Sequence, residues 1–164
     1  MRILGIDPGL VRMGLGIVDS HNSRYKLVHY DVLKMCSKDG VCFRLGEIFS
    51  KVRETIATYS VEAVAIEDVF VSINPRSALK LGQARGAAIA AAIDAGLEVF
   101  EYTPRQVKMS ISTFGGADKS QVTRMVEMLL GVKDIKPHDA ADALAISICH
   151  INTIPLRKQI KISI

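Results

Sequence analysis

The stretch RILGIDPGLVRMGLGIV, residues 2 to 18, holds two short apolar runs, RILGI and MGLGIV, separated by a turn-forming segment. Such runs bounded by Pro and Gly read as strands, and Pro8, Gly9 and Gly14 supply the turn chemistry. A third strand is expected over Tyr25 to Leu33. The connections are too short for crossover helices, so the three strands should form an antiparallel meander. Asp7 stands at the end of the first strand. An Asp beside Pro is an ordinary turn cap, yet strand ends are also where such sheets present functional groups.

Further along, Phe43, Ile48, Val52 and Ile56 share one helical stripe, with Glu47, Lys51, Arg53 and Glu54 for the wet side. The run Ala63 to Ile66 is apolar without alternation, which suits a central strand buried on both faces and parallel to the first. It ends in Glu67 and Asp68. SALKLGQARGAAIAAAIDAG then predicts a long Ala-rich helix closed by Gly96. Gly82, Gly86 and Ala90 give that helix a small-residue face, which admits either a neighbouring helix of the same chain, the ordinary case, or a second subunit. LEVFEY is the fifth strand. Thr103 and Pro104 open a short helix, Asp118 and Gln121 form a capping-box pattern for another that ends before Gly131, and Pro137 opens the last. The order predicts an α/β fold: a five-stranded mixed sheet, three antiparallel strands followed by parallel ones, flanked by helices. Residues 1–152 are expected to form one domain and 153–164 a loose basic tail.

A chain of 164 residues with 49% hydrophobic content can bury one sizeable core but not two ordinary ones. The longest apolar run, GAAIAAAIDAG, is broken by Asp94 and falls short of the roughly 18 to 20 residues that cross a bilayer. No export signal is evident at the N-terminus, which points to the cytoplasm. Cys36, Cys42 and Cys149 lack metal-binding spacing and read as reduced thiols. With 21 Lys+Arg against 17 Asp+Glu, the net charge is +4 and the pI near 9.0, a modest lean towards polyanionic partners.

In HDAADALAI, residues 138 to 146, Asp139 and Asp142 lie three apart on one face of an otherwise apolar helix. The helix dipole explains Asp139 and explains Asp142 less well. If the first and fourth strands are adjacent and this helix crosses their ends, Asp7, Glu67, Asp139 and Asp142 converge on one pocket. Hard divalent cations resolve the resulting repulsion, and oxygen-only ligands point to Mg²⁺ or Mn²⁺ rather than zinc. Two such ions, roughly 3.5 to 4 Å apart, are the usual means of driving water onto a phosphodiester. An acidic site in a basic protein fits that chemistry, since Lys and Arg hold the phosphates.

With these residues in place, the sequence resembles the RuvC-type Holliday junction resolvases, whose fold is ribonuclease H-like. GIDPG, AIEDVF, SALKLGQARG, FEYTPRQVK, DKSQV and DAADALAI match in order and spacing, from Ile3 to about His150. The resemblance implies a homodimer that binds four-way DNA junctions and makes symmetric paired nicks leaving 5′-phosphate and 3′-hydroxyl ends, in recombination and DNA repair. It also implies cooperation with a branch-migration complex of RuvA- and RuvB-type proteins. Position by position, Asp7, Glu67, Asp139 and Asp142 match the metal-binding catalytic carboxylates, Lys119 a basic residue near the active site, and Phe70 an aromatic that stacks on junction bases. Met13 and Leu15 stand where the family commonly has Thr and an aromatic, a departure that bears on packing or on a nearby DNA contact.

Arg76, Lys80, Arg85, Arg105, Lys108 and Arg124 are candidates for a phosphate track. His138 reads as a first-turn residue without a chemical part. Three rivals stand against the resolvase: a nuclease of the same fold acting on RNA or flaps, a junction-binding scaffold without catalysis, and an actin-like nucleotide-binding module. The last needs two large halves that this chain does not supply.

Overall fold

Alternation along the strands decides how the layers assemble. The computed structural model describes residues 1–22, 24–68, 74–112 and 118–161, with side chains up to residue 154. Its strands are β1 (Arg2–Asp7), β2 (Arg12–His21), β3 (Arg24–Lys34), β4 (Ala63–Glu67) and β5 (Val99–Tyr102). Its helices are α1 (Val41–Tyr59), α2 (Pro75–Asp94), α3 (Pro104–Ser112), α4 (Lys119–Leu130) and α5 (His138–Lys161). The strands form one sheet in the order β3-β2-β1-β4-β5. The first three are antiparallel, with Asp7 opposite Gly14, while β4 runs parallel to β1 and β5 parallel to β4. This is the expected mixed sheet.

Period two sorts β1, β2 and β4 into two unlike faces. Leu4, Ile6, Met13, Leu15, Ile17, Val64 and Ile66 turn to one side and bury against Ile48, Val52 and Ile56 of α1 and Ala84, Ala88, Ala91 and Ala92 of α2. Ile3, Val18, Ala63 and Ala65 turn to the other, under α5, with α3 and α4 closing that layer. The glycines of this second face, Gly5, Gly14 and Gly16, lie directly beneath α5. A Cβ on Gly14 would overlap the carbonyl oxygen of Asp139, one on Gly5 that of Ala143, and one on Gly16 would stand 2.6 Å from the Leu144 nitrogen. The Ser147 hydroxyl donates to the Gly16 carbonyl at 2.8 Å and ties the helix to the strand. Small residues on both partners let two backbones approach far more closely than an ordinary helix-on-sheet contact.

Local signals read from the sequence hold at the helix ends. Asp118 and Gln121 form a reciprocal capping box at α4, and Gly131, in the left-handed region at φ 65°, closes it. Thr103 and Gln106 exchange the same kind of bonds before α3. Asn74 caps α2 by accepting from the Arg76 amide at 3.0 Å, and Pro75 takes the first helical position.

Three expectations are corrected. Phe43 is not on the buried stripe of α1: it is 63% exposed, and Arg44 turns inward instead, its guanidinium donating to the Leu10 carbonyl at 3.3 Å. The face of α2 formed by Gly82, Gly86 and Ala90 does not pack inside the chain; it is exposed, and a Cβ on either glycine would meet nothing within 4 Å among the described residues. The backbone from Thr153 to Lys161 is helical, as part of α5. Met13 and Leu15, the departures near the first turn, are buried in the α1/α2 layer and face away from α5.

Candidate active site

The strand ends and α5 meet where the backbones come closest. Parity puts Asp7 on the same face of β1 as Ile3 and Gly5, and Glu67 on the same face of β4 as Ala63 and Ala65. Because Ile6 pairs with Ile66, the two carboxylate residues follow each other across neighbouring parallel strands. Gly14, opposite Asp7, leaves room for the start of α5, whose first turn delivers Asp139 and whose second delivers Asp142. Burial of Ala140, Ala141, Ala143 and Leu144 fixes the rotation of α5 about its axis.

Asp7, Glu67 and Asp142 line one open cleft of about 250 Å³ together with Lys108 of α3 and Lys119 of α4, over apolar contacts from Val107, Val122 and Ala145. Like charges in a half-buried site resist ionisation. The Asp7 carboxyl is pushed up to about 8, first by burial and then by Glu67, Asp142 and Asp139, against the pull of Lys119. Glu67 is raised too, by burial and then by Asp142, with Lys119 and Lys108 opposing. The Lys119 ammonium is raised, chiefly by the charge of Asp142, whose Oδ2 it meets at 3.4 Å.

Asp139 is placed differently. It is not among the residues lining the cleft, and its Oδ2 accepts from Nε of Arg12 at 2.8 Å and pairs with Nη2 of the same guanidinium at 2.8 Å. Among the described residues no three acidic, His or Cys side chains stand at metal-ligating separation. The four carboxylates therefore gather around one region, with Asp139 and Asp142 drawn to the protein's own cations.

The donor set still fits a hard divalent cation. It is all oxygen, it comes from three separate elements, and burial together with its excess negative charge raises two of its members' affinity for protons. Asp7, Glu67 and Asp142 are the residues that could hold such an ion in the cleft, and Asp139 is one helical turn away.

Of the expected DNA-contacting residues, Lys108 and Lys119 reach the cleft, and Arg76 is exposed on the first turn of α2. Arg85 is engaged elsewhere. Its side chain is only 18% exposed, its Nε donates to the Glu67 carbonyl at 3.2 Å, and its Nη2 pairs with Asp68 at 3.6 Å and with Glu101. It braces the end of β4. Phe70 and the FGG segment lie outside the described residues. His138 is exposed at the start of α5.

Sequence reasoning missed Arg12. Its signal was parity, because a residue two before Gly14 must face α5, but its partner lies 127 positions away and only the fold joins them.

The profile of the family described as "Crossover junction endodeoxyribonuclease RuvC" matches residues 3–150. The chain belongs to the RuvC family. Its curated relatives include the crossover junction endodeoxyribonuclease RuvC of Trichlorobacter lovleyi, 53% identical over 161 residues, covering 97% of this chain and 89% of that protein. The RuvC of Rubrobacter xylanophilus is 50% identical over 149 residues, covering 90% and 83%. Among solved structures, Thermus thermophilus RuvC superposes with a TM-score of 0.87 at 36% identity, covering 96% of this chain and 97% of that one. The same protein in complex with a Holliday junction substrate gives 0.87 at 35% identity, covering 95% and 96%. This likeness establishes the ribonuclease H-like fold. As a RuvC chain, the protein is an endonuclease, and nucleases of this family depend in general on a divalent metal.

Proposed function

We propose that this RuvC chain resolves Holliday junctions by Mg²⁺-dependent hydrolysis, nicking two opposed strands symmetrically to leave 5′-phosphate and 3′-hydroxyl ends. The observation that carries the reading is the cleft in which Asp7, Glu67 and Asp142 meet Lys108 and Lys119, in a chain so similar to a RuvC that binds a junction. Asp7, Glu67, Asp142 and Asp139 would hold the metal, two ions in the full site, with Mn²⁺ able to substitute; such ions would supply the charge needed to activate the attacking water and stabilise the leaving 3′ oxygen. Lys119 and Lys108 hold the scissile phosphate at the mouth of the cleft and offset its charge. Arg76 contacts the phosphate backbone, and Phe70 stacks on unpaired bases. Arg85 supports Glu67 from behind.

Symmetric nicks require two sites, so the functional unit is a homodimer. The exposed stripe on α2, Leu79, Gly82, Gly86, Ala90 and Ile93, supplies its contact: the two aliphatic ends are 65% and 62% exposed and the glycines admit a close partner backbone. Gly86→Glu should turn the dimer into a monomer in sedimentation velocity; an unchanged dimer removes this face from the interface. Residues 153–164 are a basic extension, whose backbone is helical through Lys161. The enzyme works on chromosomal DNA in the cytoplasm with RuvA- and RuvB-type branch-migration proteins; no helix among the described residues is long and apolar enough to cross a membrane.

The test is cleavage of a labelled mobile four-way junction in Mg²⁺ or EDTA, beside linear duplex, flap and RNA–DNA hybrid. Paired nicks on the junction alone, absent in EDTA, are expected. Cleavage of the other substrates makes it a general nuclease of this fold, and tight binding without cleavage makes it a scaffold.

A further inference from the structure

Arg12 precedes Gly14 by two residues on β2, so both side-chain positions face α5. Two of its nitrogens converge on a single oxygen, Oδ2 of Asp139, at 2.8 Å. The pair is open to water, with 44% of the Arg12 side chain and 33% of the Asp139 side chain exposed. Ion pairs in such a setting contribute little to folding, and burial of Ala140, Ala141 and Ala143 already fixes this turn of α5. The pair does have an effect on the site. It keeps one of the four carboxylates out of the lining of the cleft, while Asp142, one turn on, lines it.

A divalent cation and a guanidinium compete for the same carboxylate oxygen, and the planar fork that fits a carboxylate fits a phosphodiester equally well. We propose that Arg12 is an exchangeable partner of Asp139: a divalent cation entering the site takes the carboxylate, and the released guanidinium takes a non-bridging oxygen of the substrate backbone beside the cleft. The exchange makes and breaks no covalent bond and leaves every charge matched. It rests on the metal-dependent reading above. Lys119 and Asp142 repeat the arrangement on the next turn at 3.4 Å, so each α5 carboxylate starts with a protein cation that DNA can later claim.

The experiment compares the wild type with Arg12→Gln and Arg12→Lys in two measurements. One is Mn²⁺ binding to the DNA-free protein, followed by the electron paramagnetic resonance signal of free Mn²⁺. The other is four-way junction binding in Ca²⁺ across a salt series. Removing the competing charge should tighten Mn²⁺ binding of Arg12→Gln about 3- to 10-fold. The same variant should bind the junction several-fold more weakly, with a salt slope smaller by about one. Arg12→Lys, which keeps the charge without the fork, should fall between.

Weaker Mn²⁺ binding by Arg12→Gln overturns the proposal, because Arg12 then orients Asp139 for the metal. Unchanged Mn²⁺ binding, or an unchanged junction affinity and salt slope, overturns it as well. No Mn²⁺ binding by the wild type overturns the metal-site reading itself, independently of Arg12.

Discussion

The two faces of the sheet are made by the same strands and do opposite things. Towards α1 and α2, β1, β2 and β4 carry Leu4, Ile6, Met13, Leu15, Ile17, Val64 and Ile66, and apolar volume fills the gap. Towards α5 the alternate positions are Gly5, Gly14, Gly16, Ala63 and Ala65, ending in Asp7 and Glu67. On the first face bulky apolar side chains fill the space between sheet and helices; on the second, Ile3 and Val18 remain at the far end, but Gly5, Gly14 and Gly16 leave no side chain beneath the start of α5. The difference teaches how a helix can bring carboxylates to a strand end: the strand must first give up its side chains. Thinning the pattern on one face is tolerable because the other holds the core.

The sharpest way to break this contrast is to change one side chain on each face in turn. Gly14→Ala pushes a Cβ into the Asp139 carbonyl. It should destabilise by about 3 kcal/mol, the upper end for overpacking, and reduce cleavage by about 100-fold, the penalty for misplacing a reacting group by an ångström. Across the sheet, Leu15→Ile conserves volume and should cost under about 1.5 kcal/mol, with cleavage per folded molecule unchanged. Thermal melts and single-turnover cleavage measure both. Equal effects from the two substitutions would erase the distinction between the faces.

Arg85→Ala removes the donors to the Glu67 carbonyl and to Asp68 and Glu101. Cleavage should fall about 10-fold, as for loss of a group that orients a ligand. Junction affinity in Ca²⁺ should change little, whereas a large loss of affinity would return Arg85 to the DNA track.

Asp142→Asn should raise the melting temperature of the metal-free protein by a few degrees while abolishing cleavage, since it relieves repulsion on Asp7 and Glu67. A lower melting temperature would show that Lys119 already compensates the charge.

The remaining prediction is a pH dependence. Asp7 holds its proton in the folded state up to about 8, against an ordinary value of 3.8. Between those values the folded protein binds more protons than the unfolded chain, so stability is fully present below about pH 4 and is lost as pH rises towards 8. Melting the metal-free protein across that range should show a progressive decline attributable to Asp7, up to about 6 kcal/mol for the full shift, absent in Asp7→Asn.

Much of this was legible without coordinates because it is periodic or local. Strand alternation, the capping box at Asp118, and the i, i+3 spacing of Asp139 and Asp142 are all statements about near neighbours. What failed was decided by tertiary partners. Phe43 fits the stripe by spacing, but the first turn of α1 instead turns Arg44 inward, to the Leu10 carbonyl. Arg85 reads as one more cation until Glu67, Asp68 and Glu101 surround it. Gly82 and Gly86 announce a close contact without saying whether the partner belongs to the same chain. The glycines of β1 and β2 look like turn residues or weak strand formers, and only α5 lying on them reveals their purpose.

The most direct test of the central claim, that strand ends and α5 together build a cation-holding site whose carboxylates are not themselves needed to hold DNA, is Asp7→Asn, with junction binding in Ca²⁺ and cleavage in Mg²⁺ measured on the same preparation. The account predicts that cleavage disappears while junction affinity stays within a few-fold of the wild type, because a lost negative charge leaves the phosphate contacts intact. Loss of binding in step with cleavage, or cleavage that survives, would contradict it.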